Sequence, residues 1–380
     1  MPMPPDAANF APLRPTYVEV NLAQIASNFH AIQAHVAPAQ VMPVIKANAY
    51  GHGIIPVARC LVRNGVERLA VALLEEGIML RQAGIDASIL VMGGVLPEQV
   101  PAYLSYDLTL TVATLQNLEV IEAIASQMGK RAVVHIKVDT GMGRLGVPYY
   151  EAEALLERSL ACSHLLVEGI YSHFANSDAA DLSHARLQLE RFLKVLEFYP
   201  RRRLPYPLRH LANSGGVLQL PESHLDLVRP GIMLYGYYPS KEVRQTVVVR
   251  PALTWKTQAV MSKVLPAGYP LSYGSTWQSD HPVRILTLPV GYGDGYFRLL
   301  SNRGEVLIRG KRYPVVGRVC MDQIMVCLEN DLAEAGEEVI LLGEAGDEVI
   351  TAADLAEWAS TIPYEILTNI NSRVPRIYLP

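Results

Sequence analysis

Between about residues 40 and 240 the chain alternates short apolar runs with amphipathic stretches, and this alternation constrains the fold more than any other feature. It implies repeated βα units and a parallel sheet. Strands are expected at residues 41–46, 69–73, 88–92, 108–112, 132–138, 166–172, 208–212 and 232–235. Between them lie stretches such as 151–162 and 184–199, where apolar residues recur at spacings of three and four. Eight such units over this length predict a (β/α)8 barrel.

After about residue 247 the texture changes to β-branched runs separated by Gly, Pro and Asp, for instance 283–290, 305–308 and 315–326, with one helical segment at 352–360. This predicts an α/β chain in which a TIM barrel, residues 16–246, is followed by a mostly-β domain, residues 247–380. The proline-rich residues 1–15 read as an N-terminal arm. A chain of 380 residues, 50% apolar and 18% charged, can bury cores of this size. The formal net charge of −4 offers no general attraction to nucleic acid or anionic membranes, and the basic run Arg201, Arg202, Arg203 reads as a solvated loop. Cys60, Cys162, Cys320 and Cys327 fit neither a disulfide framework nor a metal-ligand spacing. No signal-peptide pattern or membrane-length apolar run is visible, so the expectation is a cytoplasmic protein without a metal.

In a parallel barrel the strand ends carry the chemistry. Lys46 closes the run VMPVIK, where a buried amine is costly unless neutralised or used, and a Schiff base with an aldehyde does both. The bland alternative is a lysine snorkelling to the rim. Tyr50, four residues later, could offer a hydroxyl to an anion at the same rim. The segment HIKVDTGMGRLG contains a formal G-x-G-x-x-G, yet it follows the fifth strand, and Val147-Pro148 comes next where a dinucleotide site would open a helix. The glycines are expected to turn the backbone tightly and aim Arg144 across the mouth, where a guanidinium can clamp a carboxylate. His173 ends the sixth strand and could equally be a satisfied structural group. Ser214, with flanking N–H groups, would suit a phosphate, and Arg229-Pro230-Gly231-Ile232 lies where barrels often bind one. Arg229 alone could be a rim salt bridge. In the β domain, Tyr273 in SYG, Tyr292 in GYGDGY, and Met321 and Asp322 in CMDQ read on chemistry alone as turn and packing motifs.

Taken together, VIKANAYGHG, KVDTGMGRLG, ANSGG, RPGIMLYG, SYG, GYGDGY, CMDQ and IPYEILTNINSRVPRIY resemble the alanine racemase family, in consistent order from about Tyr17 to Tyr378. The resemblance implies a pyridoxal-phosphate enzyme of fold-type III that acts on a small amino acid as a head-to-tail homodimer. It implies that Lys46 carries the cofactor and that Tyr273 enters the site from the partner subunit as the second base. Two bases are needed because racemisation removes a proton from one face and returns it on the other. The resemblance further assigns phosphate contacts to Tyr50, Ser214, Gly231, Ile232 and Tyr364, and the pyridine nitrogen to Arg229. Arg144 falls near the cofactor phenolate and substrate carboxylate, and His173 beneath the ring. Met321 matches a partner-subunit backbone contact to that carboxylate, Tyr292 an entrance aromatic, Asp322 a supporting residue, and Lys137 a position that can be carbamylated and then pairs with Arg144. Three alternatives are carried forward: a serine or broad-specificity racemase, a non-catalytic cofactor-binding barrel, and a nicotinamide enzyme built on GMGRLG.

Overall fold

The computed structural model describes residues 13–380, so the arm expected over residues 1–15 falls, up to residue 12, outside the described residues. The chain divides into two compact units, residues 23–250 and the segment up to residue 22 joined with residues 251–380.

In the first unit, parallel strands run in the order Gln40–Val41, Leu227–Val228, Leu208–His210, Leu165–Tyr171, Ala132–Asp139 and Leu110–Val112. A second parallel pair, Arg68–Val71 with Ser88–Val91, joins the ends: Val44 bridges to Ala70 and Leu90 to Thr109. The sheet closes as an eight-stranded parallel barrel and brings every strand's C-terminal end to one mouth. The outer helices are amphipathic, as the spacing predicts. Helix Ser183–Leu196 buries Ala185, Leu189, Phe192, Val195 and Leu196, and helix Leu115–Gln127 starts where the Thr114 hydroxyl accepts the Asn117 N–H at 3.0 Å.

The last expected strand, residues 232–235, is instead the 3₁₀ turn Ile232–Tyr235, closed by Leu234 N–H to Gly231 O and Gly236 N–H to Met233 O, both 3.0 Å. All four side chains are fully buried, and a run buried on every side has no period to separate strand from helix. The eighth strand is Leu227–Val228, which places Arg229 at its C-terminal end.

The second unit is a ten-stranded sheet. Its strand Tyr17–Asn21 lies between Leu253–Gln258, antiparallel, and Arg376–Leu379, parallel. Residues 17–21, read from sequence as the start of the barrel, therefore pair with partners more than two hundred positions away, and the barrel unit ends at Arg250. The expected run 315–326 resolves into the end of Lys311–Val316 and the start of Ile324–Glu329, separated where Gly317 takes φ 74°. The expected helix is Ala352–Trp358, with Thr351 and Asp354 forming a capping box.

Asp294 anchors the GYGDGY loop. Fully buried, it accepts both terminal amines of Arg14 at 2.7 Å and the Gly291 N–H at 3.0 Å, with Arg373 at 3.4 Å. Removing this carboxylate strands a guanidinium and a backbone donor. We expect Asp294→Ala to cost about 3–5 kcal/mol of stability, read as a lowered Tm, and an unchanged Tm would contradict that role.

Candidate active site

The chain reverses direction immediately after Lys46 through a left-handed turn: Ala47, Asn48 and Ala49 have φ of 52°, 55° and 53°, and Tyr50 follows at 52°. For residues with a Cβ this conformation costs on the order of 1 kcal/mol each. Specific bonds hold it. Glu76 accepts the Ala47 N–H at 2.6 Å with one oxygen and the Ala72 N–H at 2.9 Å with the other, and Asn48 Oδ1 accepts the Ile54 N–H at 2.9 Å. The Tyr50 ring lies 4.9 Å from that of Tyr235, whose hydroxyl donates to Val44 O at 3.1 Å. The turn leaves the Lys46 amine half-buried at the mouth, where burial first and then the nearby Arg144 guanidinium lower its pKa, against Glu76. An amine so placed is biased toward the free base that attacks aldehydes.

The same turn buries Tyr50 against Gly231. A Cβ on residue 231 would fall 3.0 Å from Tyr50 Cζ and closer still to its hydroxyl oxygen, so only glycine fits. Gly231 N–H donates to Ser214 Oγ at 3.0 Å, and Ser214 opens a short helix after Asn213, whose side chain accepts the Gly216 N–H at 3.0 Å. Tyr50, Ser214, Gly231 and Ile232, chosen from three separate motifs, thus meet at one place. Two hydroxyls beside backbone amides form a donor set suited to a phosphate.

A buried cationic cluster adjoins this cradle. Arg229 is 2% exposed and donates to Ser172 O at 2.7 Å, Leu211 O at 3.2 Å, His210 Nδ1 at 2.6 Å and His173 Nδ1 at 3.4 Å. Burial lowers its pKa to about 10, so it stays charged at neutral pH. Burial first and then Arg229 hold His173 and His210 well below the usual histidine range, which keeps both neutral. Lys137 is 5% exposed, with its amine 3.2 Å from Val138 O and 5.0 Å from the Tyr171 ring centroid. Burial and Arg229, opposed by Asp139, bring its pKa down to about 7. Arg229 lies 5.1 Å from the same Tyr171 ring centroid.

The GMGRLG loop is organised around an anion the chain itself supplies. Asp139 accepts the N–H groups of Gly141 at 2.8 Å, Met142 at 2.9 Å and Gly143 at 2.9 Å. The chain then returns as the strand Val147–Pro148, and a helix begins only at Ala152. Amides already turned toward Asp139 are unavailable to a pyrophosphate, and the loop presents Arg144 exposed.

The remaining sequence candidates lie in the second unit. Tyr273 is 71% exposed on a turn fastened where Ser272 Oγ donates to Arg318 O at 2.7 Å. Tyr292 and Met321 sit on adjoining loops, joined by Tyr292 N–H to Cys320 O at 3.0 Å and Gly293 N–H to Met321 O at 2.8 Å. Asp322 pairs with Arg373 at 2.6 Å, and Tyr364 lies half-buried in the first turn of helix Pro363–Asn369. Sequence reasoning missed Glu76, Tyr171 and His210. The two strand residues carried a readable signal: polar side chains at alternate positions of strands buried on both faces, where apolar runs are the rule.

A parallel barrel that gathers a half-buried lysine amine, clustered hydroxyls and a buried guanidinium, followed by a β unit with exposed tyrosines, has the two-domain construction of an amino-acid racemase. The alanine racemase N-terminal domain model matches residues 20–239 and the C-terminal domain model residues 252–378. An alanine racemase of Carboxydothermus hydrogenoformans is 49% identical over 369 residues, covering 97% of this chain and 100% of that protein. Alanine racemase of Clostridium difficile superposes with a TM-score of 0.93 at 35% identity, over 97% of both chains. The structure from Bartonella henselae, which holds covalently bound pyridoxal phosphate, gives 0.88 at 29% identity over 96% of this chain and 99% of that one. The chain belongs to the alanine racemase family.

The Tyr50–Gly231 contact makes a double-mutant test possible. We expect Gly231→Ala to lower the Tm and Tyr50→Phe in that background to restore part of it, since the substitution removes the clashing oxygen. Strictly additive effects would show that the two residues do not meet.

Proposed function

We propose that this chain interconverts L- and D-alanine, with pyridoxal phosphate held on Lys46 and with Lys46 and Tyr273 as the two bases. The observation that carries this reading is the meeting, at one barrel mouth, of a lysine amine lowered in pKa and a phosphate-type cradle built by Tyr50, Ser214 and Gly231. The donor set fits the cofactor: an amine for its aldehyde, hydroxyls and amides for its phosphate, a buried guanidinium for its ring nitrogen. Its chemistry is to withdraw electrons from the substrate α-carbon so that the α-proton becomes removable.

Around that chemistry the side chains divide the work. Tyr273 takes the α-proton of the L-enantiomer and Lys46 that of the D-enantiomer, each returning one on its own face. Tyr273 is exposed on its own chain, so we assign it to the active site of the partner in a homodimer, with Met321 beside the substrate carboxylate and Tyr292 at the entrance near Asp322. Arg144 orients that carboxylate. Ile232 and Tyr364 would complete the phosphate contacts, and His173, neutral and held by Arg229, would neighbour the cofactor. Arg229 donates hydrogen bonds and keeps its proton, so the ring nitrogen is an acceptor and electron withdrawal is moderated. The buried Lys137 amine, its pKa brought down to about 7 so that a substantial share is free base near neutral pH, is suited to react with CO₂ and form a carbamate that pairs with Arg144. We place the enzyme in the cytoplasm, supplying D-alanine for peptidoglycan. Among the described residues no helix is long and apolar enough to cross a membrane.

Purified protein is expected to show a visible absorbance band that borohydride abolishes and to racemise L-alanine by polarimetry, both lost in Lys46→Ala. A colourless protein that fails to racemise alanine even with added cofactor would overturn the reading. Tyr273→Phe should keep the band and lose on the order of 10²-fold or more in kcat. Intact mass in bicarbonate should show one CO₂ on Lys137, absent from Lys137→Ala; an unmodified lysine removes the carbamate.

A further inference from the structure

A line of polar groups that, beyond Arg229, the reaction above does not use runs through the barrel interior. Arg229 Nη1 donates to His210 Nδ1 at 2.6 Å, His210 Nε2 lies 2.8 Å from His135 Nδ1, and His135 Nε2 lies 3.0 Å from Glu168 Oε2. Beyond it, Arg68 stands 3.5 Å from the other Glu168 oxygen. Both imidazoles are at most 1% exposed, while the Glu168 side chain is 24% exposed. The arrangement is built in. His135 sits opposite Gly169 in register, and a Cβ there would approach His135 Nδ1 to 2.5 Å. Tyr171 lies flat on His210, 4.8 Å between centroids and 2° from parallel, with its hydroxyl tied to Thr111 at 2.8 Å.

The direction of every bond in this line is forced. A guanidinium has donors and no acceptor, so His210 Nδ1 must be bare and its proton must sit on Nε2. His135 Nδ1 must then accept, its own proton sits on Nε2, and Glu168 accepts as a carboxylate. The reverse order would set a His210 N–H against an Arg229 N–H at 2.6 Å. The charge states agree. Burial keeps both imidazoles below the usual range, despite Glu168 for His135 and reinforced by Arg229 for His210, while the His135 hydrogen bond and Arg68 hold Glu168 below the usual carboxylate range.

We propose that His135 and Glu168 are positioning residues that accept, in relay, the Nε2–H that Arg229 imposes on His210 and so hold the Arg229 guanidinium in one orientation, acting through two imidazoles. Neither touches the reacting atoms. The effect on the cofactor rests on reading Arg229 as its ring partner; the tautomer assignment does not.

The test uses holoenzyme labelled with ¹⁵N-histidine and long-range ¹H–¹⁵N spectra, with kcat, KM and the visible band measured alongside. The unsubstituted protein and Glu168→Gln, which retains an acceptor oxygen, should show His135 and His210 protonated on Nε2 alone. Glu168→Leu and His135→Phe should move the His210 Nε2–H resonance while Nδ1 stays bare against Arg229, lower kcat about 10-fold with KM little changed, and shift the visible band, with Glu168→Gln close to the parent. Near-UV circular dichroism confirms that each variant is folded, and the unsubstituted spectrum decides the tautomers even if Glu168→Leu fails to fold. Protonation of His210 on Nδ1 in the parent, or an unmoved His210 in both disrupting variants, overturns the proposal. A moved His210 resonance with unchanged kcat and band overturns the positioning role and leaves the racemase reading standing. A parent without a visible band sinks the cofactor reading, on which the histidine spectra do not depend.

Discussion

A guanidinium buried in a barrel, with no carboxylate paired to it among the described residues, governs much of this site. Arg229 is 2% exposed, and its bonds run to backbone carbonyls and imidazole nitrogens. A buried charge of this kind persists only if its donors find acceptors and its neighbours stay neutral. Burial first and then this charge keep His173 and His210 neutral and lower the pKa of Lys137, and the Tyr171 ring centroid lies 5.0 Å from the Lys137 amine and 5.1 Å from Arg229. A carboxylate beside Arg229 would cancel its field, but burial, the larger cause, would still hold these groups below their usual ranges.

The second constraint is conformational. Four successive non-glycine residues after Lys46 occupy the left-handed region, a conformation that Glu76, Asn48 and the Tyr50–Tyr235 contact must over-determine. In return, the turn allows an amine and a phenol four residues apart to face the same mouth, and local strain becomes pre-organisation of the site.

The legibility of the chain follows the range of its interactions. The barrel was readable because each βα unit is local, with apolar spacing that changes period within a few residues. Reading failed at the 3₁₀ turn Ile232–Tyr235, buried on all sides, and at Tyr17–Asn21, whose pairing partners lie near the other end of the chain. Lys46, Ser214 and Arg229 stood out because polar groups that close buried strands are costly. Tyr273, Tyr292 and Met321 did not, because exposed residues on turns of a β unit carry no such penalty; only the family resemblance singled them out.

The sequence by itself determined the succession of strands and helices, the lysine at a strand end, the glycines that admit close approach, and the family to which the chain belongs. Tertiary structure decided which of these residues meet. Closure of the barrel through the bridges at Val44 and Leu90 brings Tyr50 against Gly231, and sheet register sets His135, Tyr171 and His210 side by side. The protonation states of the interior depend on that packing, because desolvation and the field of a buried cation exist only once distant strands have closed around them.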